Sequence, residues 1–510
     1  MGVIKLFEAI VQLANPMDLL LMFGATFLGI MIGMLPGLTA TMGIALLTTL
    51  SFRWSAGNAI LTLVGIYIGA IYGGSRTAIL LNIPGTPANA ATCFDGYPLA
   101  RQGKGAEAIG LATTSSFLGS CVGLIALAFF TPVLGNIALE FKSYEIFWLA
   151  IFGVAICGNL TASKDHLKGW ISGILGILVS FVGMDKIQGY TRYTFGMQDL
   201  NAGFDIIPVL VGVYGLVEIV ENLSRQDVKE VVDQLGRVIP RIRDLVSNWW
   251  NIVRSGLVGV VVGIIPGVGE NIASYVAYDF AKRGSKHPEE FGKGSKEGLI
   301  AAETANNACV GGALVPVLSL AIPGSPPAAV LLAALWIHNV RPGPLLMIEN
   351  PNYVYMFSGM FFWGTLAMLI LGLSIVRPML RILKLKNGLL MPLVFIFCTI
   401  GTYAINGRPF DLLAMVCFGL IAFPMRKLGI PDAPFVLGII LGPMIDENLR
   451  RGLILSNGGI GPFFSSTISQ VLFALVVLTL FGRTAPFRFV SSSIAGGFRL
   501  ARAALFRRKG

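Results

Sequence analysis

Charge is scarce in this chain. Only 13% of the residues are Asp, Glu, Lys or Arg, against about a quarter in an ordinary soluble domain, so a soluble enzyme is excluded. Histidine is scarcer still: His166, His287 and His338 stand far apart in sequence, and no H-E-x-x-H metal pair exists. No G-x-x-x-x-G-K-[ST] phosphate loop occurs either, so ATP hydrolysis has no seat here. The six cysteines (Cys93, Cys121, Cys157, Cys309, Cys398, Cys417) form no C-x-x-C pair and mostly lie in apolar runs, as packing residues do. No signal peptide is expected, because Met1–Asn15 carries Glu8 and lacks a small-residue cleavage site.

What the chain has in abundance is apolar surface. Hydrophobic residues make up 55% of it and its mean hydropathy is +0.75. Runs able to cross about 30 Å of hydrocarbon recur from Asp18 to Phe481, roughly a dozen or more of them, so the chain reads as an all-α polytopic membrane protein. The net charge of +11 sits in loops and in a basic C-terminal tail. That placement suits cytoplasmic anchoring rather than nucleic-acid binding.

One phrase occurs four times: an apolar helix broken by Pro-Gly and followed by small polar residues. The copies are Pro36-Gly37-Leu38-Thr39-Ala40-Thr41, Pro84-Gly85-Thr86-Pro87-Ala88-Asn89, Pro266-Gly267-Val268-Gly269-Glu270-Asn271 and Pro323-Gly324-Ser325-Pro326-Pro327. Proline removes a backbone donor and glycine accepts the dihedrals that follow, so each phrase ends one half-helix and begins another, re-entrant or discontinuous. Lipid cannot satisfy the freed backbone groups, so such breaks must be buried in protein or line a wet cavity.

The breaks come in matched pairs. Gly29-x-x-x-Gly33-x-x-Pro36-Gly37 repeats at one constant offset as Gly259-x-x-x-Gly263-x-x-Pro266-Gly267. Ile83-Pro84-Gly85 repeats as Ile322-Pro323-Gly324, and Pro208, Gly212 and Glu221-Asn222-Leu223 repeat as Pro434, Gly438 and Glu447-Asn448-Leu449. Anchors in the same order predict two related halves. The expected organisation is a first repeat over residues 1–223, a cytoplasmic amphipathic linker over 224–251, a second repeat over 252–451, and a C-terminal span with a basic cytoplasmic tail over 452–510. In the linker, Val228, Val231, Val232, Leu235, Val238 and Ile239 fall at helical spacing before Trp249-Trp250, as in an interfacial or partner-docking helix. Basic loops alternate with poorer ones so that the halves run antiparallel, an inverted-topology repeat. The loop at Arg450-Arg451 and the mixed-charge loop Lys282–Glu297 count against that assignment.

Helix N-termini offer unpaired N–H groups and partial positive charge, which suit a carboxylate. The candidate substrate residues are accordingly Pro36, Gly37, Thr39, Thr41, Pro84, Gly85, Thr86, Asn89, Gly267, Asn271, Gly324 and Ser325. Arg76 joins them as a cation inside an apolar run; its structural alternatives are a pair with Asp95 or snorkelling. Unwound carbonyls and helix C-termini can hold a cation, so Gly269, Glu270 and Asn82 are the candidates for a coupling ion. Glu270 is alternatively the partner of a loop lysine. Tyr278-Asp279 and Gly267-Val268-Gly269-Glu270 resemble intramembrane aspartyl protease motifs, but they share one segment and one acid is Glu, so two facing carboxylates are not implied.

Longer motifs name a family. Gly33-Met34-Leu35-Pro36-Gly37-Leu38, Tyr72-Gly73-Gly74-Ser75-Arg76-Thr77-Ala78-Ile79-Leu80-Leu81-Asn82-Ile83-Pro84-Gly85-Thr86-Pro87 and Phe94-Asp95-Gly96-Tyr97-Pro98-Leu99-Ala100 closely resemble the TctA family, the large membrane subunit of the tripartite tricarboxylate transporters. Arg192-Tyr193-Thr194-Phe195-Gly196 and Ala321-Ile322-Pro323-Gly324-Ser325-Pro326 are also similar to that family. The resemblance implies secondary uptake of organic di- and tricarboxylates across the bacterial inner membrane, without an enzymatic step or organic cofactor. It implies sodium as first choice of coupling ion, with protons second, since a buried Glu270 can titrate. It implies two partners, a small four-helix membrane subunit and a periplasmic substrate-binding protein. Alternating access would be elevator-like, with the broken-helix unit moving past the remaining spans. The rival classes are an ion channel, which would want rings from an oligomer, and a non-translocating scaffold subunit, which would not need a buried Arg76 or Glu270.

Overall fold

The computed structural model describes residues 2–35, 38–161, 165–223, 238–375 and 387–481, and they are helical almost throughout. Pro36 and Gly37, most of the linker (224–237) with Val228, Val231, Val232 and Leu235, and the basic tail (482–510) lie outside the described residues. The order begins α1 (Gly2–Gln12), α2 (Pro16–Met34), α3 (Ala40–Leu50), α4 (Ala56–Leu81), α5 (Thr92–Leu99), α6 (Gly105–Ala138), α7 (Ser143–Thr161) and α8 (His166–Ser180). A two-stranded antiparallel ribbon (Gly183–Met184 with Thr191–Arg192) precedes α9 (Ile206–Leu210), which passes through a π-helical stretch into α10 (Val217–Leu223). Then follow α11 (Ile242–Ser247), α12 (Trp249–Ile264), α13 (Gly269–Gly284), α14 (Lys296–Leu320), α15 (Pro326–Ile337) and α16 (Pro344–Glu349). The chain ends its described course with α17 (Tyr353–Ser374), α18 (Asn387–Asn406), α19 (Pro409–Lys427), α20 (Asp432–Leu455) and α21 (Thr467–Phe481). Among the described residues six helical stretches are long and apolar enough to cross a membrane: α2, α4, Thr92–Ala138, α7, α17 and α19. The protein is a multi-pass membrane protein.

Two helices form the axes of the bundle. Every residue from Ala59 to Leu80 in α4 and from Gly298 to Ser319 in α14 is buried. A helix buried on all sides needs small residues where its neighbours cross, and the Gly-x-x-x-Gly pairs supply them. A Cβ on Gly29 or Gly33 of α2 would lie 2.5 Å and 2.0 Å from the carbonyl oxygens of Ile66 and Ala70 in α4. One on Gly259 or Gly263 of α12 would lie 2.3 Å and 2.6 Å from those of Ala305 and Cys309 in α14. Each glycine pair therefore lets α2 press on α4, and α12 on α14, backbone against backbone.

Local chemistry sets the ends. Asn15 accepts from the Asp18 N–H at 3.0 Å with Pro16 in the first turn, which starts α2. α4 stops at Asn82 and α14 at Ala321, both left-handed at φ 57°.

One sequence expectation is corrected. Arg450 and Arg451 lie inside α20 rather than in a loop. Arg450 pairs with Asp185 and with Asp446, the latter at 3.0 Å. α12 begins at Trp249, so Trp249-Trp250-Asn251 form the first turn of the helix that carries Gly259 and Gly263.

Candidate functional site

The second and fourth breaks are built alike. After left-handed Asn82, the Ile83 N–H returns to the Thr77 carbonyl at 3.3 Å and the Gly85 N–H to the Gly74 carbonyl at 3.3 Å. After left-handed Ala321, the Ile322 N–H returns to the Pro316 carbonyl at 3.2 Å and the Gly324 N–H to the Ala313 carbonyl at 3.4 Å. The freed backbone groups thus find partners within the protein, as hydrocarbon requires. A Cβ on Gly85 or on Gly324 would sit 2.1 Å from the carbonyl oxygen of Gly33 or Gly263 respectively, so only glycine fits either place.

The third break is joined to the fourth, since the Gly267 N–H donates to the Pro323 carbonyl at 3.1 Å. Gly267 and Gly269 turn the chain at φ 72° and 71°, and α13 starts there. Thr39 caps α3 by accepting from the Met42 N–H at 3.2 Å, and Ser325 caps α15 by accepting from the Ala328 N–H at 3.3 Å.

These ends converge on a cavity of about 390 Å³. Thr39, Ala40 and Thr41 line it from the start of α3, Thr86, Pro87 and Ala88 from the second break, Glu270 and Asn271 from α13, and Pro326 and Pro327 from α15. The opposite wall comes from other elements: Thr161, Tyr214, Glu218, Arg426, Pro431, Asp432 and Ala433. Three helix N-termini therefore face one space, with Arg426 across it.

The remaining candidates take other places. Pro84, Gly85, Gly267, Gly269, Gly324 and Ser325 shape the breaks without lining the cavity. Asn89 turns inward, accepting from Thr86 Oγ1 at 2.6 Å and donating to Ser75 Oγ at 3.2 Å. Arg76 is buried beside α17, donating to Tyr72 Oη at 3.0 Å and to the Gly372 carbonyl at 2.7 Å. Asp95 is occupied elsewhere, by Tyr278 Oη at 2.8 Å and by the N–H groups of Gly292, Gly294 and Ser295. It ties the Lys282–Glu297 loop down and is not the partner of Arg76.

Glu270 accepts from Tyr67 Oη, which also lies 2.6 Å from Ser325 Oγ, so its partner is a tyrosine of α4 and not a loop lysine. Asn82 is exposed at the far end of α4 from Tyr67, some 20 Å away at 1.5 Å per residue. It shares no site with Glu270.

Sequence reasoning overlooked two charged groups. In the sequence Arg426-Lys427 reads as a basic loop, yet Arg426 donates to Asp432 at 2.8 Å, Glu218 at 3.0 Å and Glu221 at 3.2 Å. Glu303, fully buried in α14, accepts from Ser75 Oγ at 2.7 Å, Ser116 Oγ at 2.8 Å and Thr92 Oγ1. The rule that singled out Arg76, a charge within an apolar run, would have found Glu303 too. A larger cavity of about 770 Å³ lies between Phe181–Ile206 and α20. It includes no residue of the breaks, and its charges are already paired, Arg192 with Asp446 and Lys186 with Glu447, each at 3.0 Å.

Residues 19–437 match the tripartite tricarboxylate transporter TctA family. The chain is 35% identical over 462 residues to an uncharacterised 52.8 kDa protein of the TAR-I ttuC' 3' region of Agrobacterium vitis, an overlap of 90% of this chain and 92% of that protein. It is 34% identical over 217 residues to an uncharacterised protein of the TAR-II ttuC' 3' region of the same organism, covering 42% of this chain and 90% of that one. No solved structure matches it. The chain, with its apolar spans and its helix ends gathered around one cavity, belongs to the TctA family of tripartite tricarboxylate transporters.

Proposed function

We propose that this chain is the translocating subunit of a binding-protein-dependent importer of organic di- or tricarboxylates, driven by a cation gradient. One observation carries the reading: all four broken segments contribute to the same 390 Å³ cavity, three of them through α-helix N-termini. A carboxylate entering hydrocarbon depth loses its water, and the N–H groups at the starts of α3 and α13, with Thr41 and Thr86, replace it, while α15, which opens with Pro326-Pro327, adds only its dipole.

The acids around the cavity explain the need for a cation. Among the described residues that line it, Glu270, Glu218 and Asp432 face one cation, Arg426. An anion brought there without counter-ions meets more negative than positive charge, so co-entry of sodium or protons removes the repulsion.

The two halves, 1–223 and 252–451, act as an inverted repeat whose short helices α3, α13 and α15 re-enter the membrane from opposite sides. The broken-helix unit slides past the remaining spans in an elevator-like movement, and a small four-helix membrane subunit with a periplasmic binding protein completes the assembly. The setting is the bacterial inner membrane.

Uptake by proteoliposomes containing the chain and its partner subunits, with and without sodium or proton gradients, tests the reading. Accumulation that collapses with the gradients is expected. Uptake that persists without either gradient and without ATP overturns cation coupling, and absence of uptake with all subunits present favours a scaffold. Cysteines introduced near Lys104 and near Asn350 should label from opposite sides of the membrane; labelling from one side ends the inverted repeat.

A further inference from the structure

We infer that Glu303 is the binding site of the driving cation, a proton on its carboxyl group or a sodium ion beside it, and that Ser75, Asn89 and Thr86 connect it to the substrate cavity. The inference rests on the transporter reading above and replaces Glu270, Gly269 and Asn82 as the place where the ion binds.

Glu303 lies two turns into α14, fully buried. Hydroxyl groups from three other helices converge on its carboxylate: Ser75 of α4 at 2.7 Å, Ser116 of α6 at 2.8 Å, and Thr92 of α5. Hydroxyls soften the cost of a buried negative charge but do not cancel it, so the site is poised to take up a positive one. The same oxygens have lone pairs to turn toward a hard cation, and Asn307 Oδ1, one helical turn on and fully buried, accepts no hydrogen bond.

The charged and titratable groups on the helices around it are engaged elsewhere. Arg76 of α4 donates to Tyr72 and Gly372, Asp95 of α5 accepts from Tyr278 and loop amides, and Glu107 of α6 pairs with Lys296. Glu270 of α13 accepts from Tyr67, and Arg254 of α12 donates to Asn251. Cys93 of α5 donates from Sγ to the Asn89 carbonyl at 3.9 Å. None of these is an ion partner of the carboxylate among the described residues.

A continuous hydrogen-bonded path leads outward. Ser75 Oγ, whose one proton lies within reach of both Glu303 and the Tyr72 carbonyl at 2.7 Å each, accepts from Asn89 Nδ2 at 3.2 Å, while Asn89 Oδ1 accepts from Thr86 Oγ1 at 2.6 Å. Thr86 lines the cavity. When a cation neutralises Glu303, Ser75 is released as its donor, the Asn89 amide can re-pair, and the Thr86 hydroxyl is freed to face the substrate. Occupancy of the ion site is thus converted into affinity at the cavity, which a symporter requires.

The test reads ion binding directly. Purified chain is assayed for radioactive sodium binding and, by infrared difference spectroscopy across a pH titration, for the carbonyl band of a protonated carboxyl group. Wild-type protein should show one of the two, which identifies the ion. Glu303→Gln should lose the band or weaken sodium binding at least about tenfold, a loss of about 1.4 kcal/mol or more. Ser116→Ala, which keeps the acid and removes one hydroxyl, should shift the band's midpoint or weaken sodium binding severalfold, and it serves if the first variant does not fold. In proteoliposomes Glu303→Gln should exchange substrate across the membrane yet fail to accumulate it down an ion gradient. If wild-type protein shows neither signal, or if both variants keep the wild-type signal, the assignment is overturned while gradient-driven uptake by wild type would still stand. If ion binding depends on Glu303 but no uptake occurs, the transporter reading fails instead.

Discussion

The break after α4 and the break after α14 have the same backbone and different chemistry. Both end in a left-handed residue at φ 57°, both fold back through Ile-Pro-Gly, and both press a glycine onto a carbonyl of a Gly-x-x-x-Gly helix. Yet α4 carries Arg76, and α14 carries Glu303 with Asn306 and Asn307. Where helices must touch backbone to backbone, geometry tolerates no variation. Where a side chain needs only a polar neighbour, the two helices differ, and each has its own buried charge.

The strongest way to break the comparison is to put a side chain where both halves demand glycine. Gly85→Val and Gly324→Val should each abolish uptake while protein remains in the membrane, since each Cβ would lie 2.1 Å from a carbonyl oxygen and displace Thr86 or Ser325. Overpacking of this kind costs about 1–3 kcal/mol. Initial uptake rates normalised to inserted protein decide it; wild-type rates in either variant would show that the halves do not share the constraint.

Arg76 has no counterpart in the second half, so removing it probes the divergence. Arg76→Met leaves Tyr72 Oη and the Gly372 carbonyl without their donor. A loss of stability of about 1–3 kcal/mol is expected, seen as a lower Tm, with KM for substrate changed less than about twofold because the side chain is not in the cavity wall. A tenfold rise in KM at unchanged Tm would return Arg76 to the substrate site.

The left-handed caps offer a smaller contrast. Asn adopts φ 57° with less strain than Ala, so Ala321→Gly should stabilise the fold and Asn82→Ala destabilise it, each by about 1 kcal/mol. Thermal unfolding of the two variants measures the difference, and sodium binding should be unchanged in Asn82→Ala.

The smallest effect concerns His338, in the loop after α15. Burial lowers its pKa, and its Nε2 lies 3.5 Å from Ser51 Oγ. The folded state resists protonating it while the unfolded state protonates near pH 6.5. Its contribution to stability is therefore present above about pH 6.5 and is lost as pH falls through the folded pKa. His338→Gln should flatten the dependence of Tm on pH in that window, and an unaltered slope would refute the assignment.

The family, the membrane class and the places of the four breaks were legible in residues near one another in sequence. Pro-Gly after an apolar run acts through the backbone of its own turn, and Gly-x-x-x-Gly acts through its own helix face, so local order was enough. Arg450 and Arg426 misled for one reason: a basic residue looks like a loop charge until its acidic partners are known. Each has one partner close in sequence, Asp446 or Asp432, and another more than 200 residues earlier, Asp185 or Glu218.

By itself, then, the sequence determined what kind of molecule this is and where its helices must break, because hydrophobic length and backbone sterics are properties of short segments. Only the tertiary structure decided which broken ends share a cavity, that Arg426 faces them, that Arg76 and Asn82 stand apart, and that hydroxyls from three helices meet on Glu303. Those outcomes depend on the crossings of α2 with α4 and of α12 with α14, and on how α5 and α6 lie against them. A carboxylate and its donors separated by up to 228 residues become neighbours only when those crossings form.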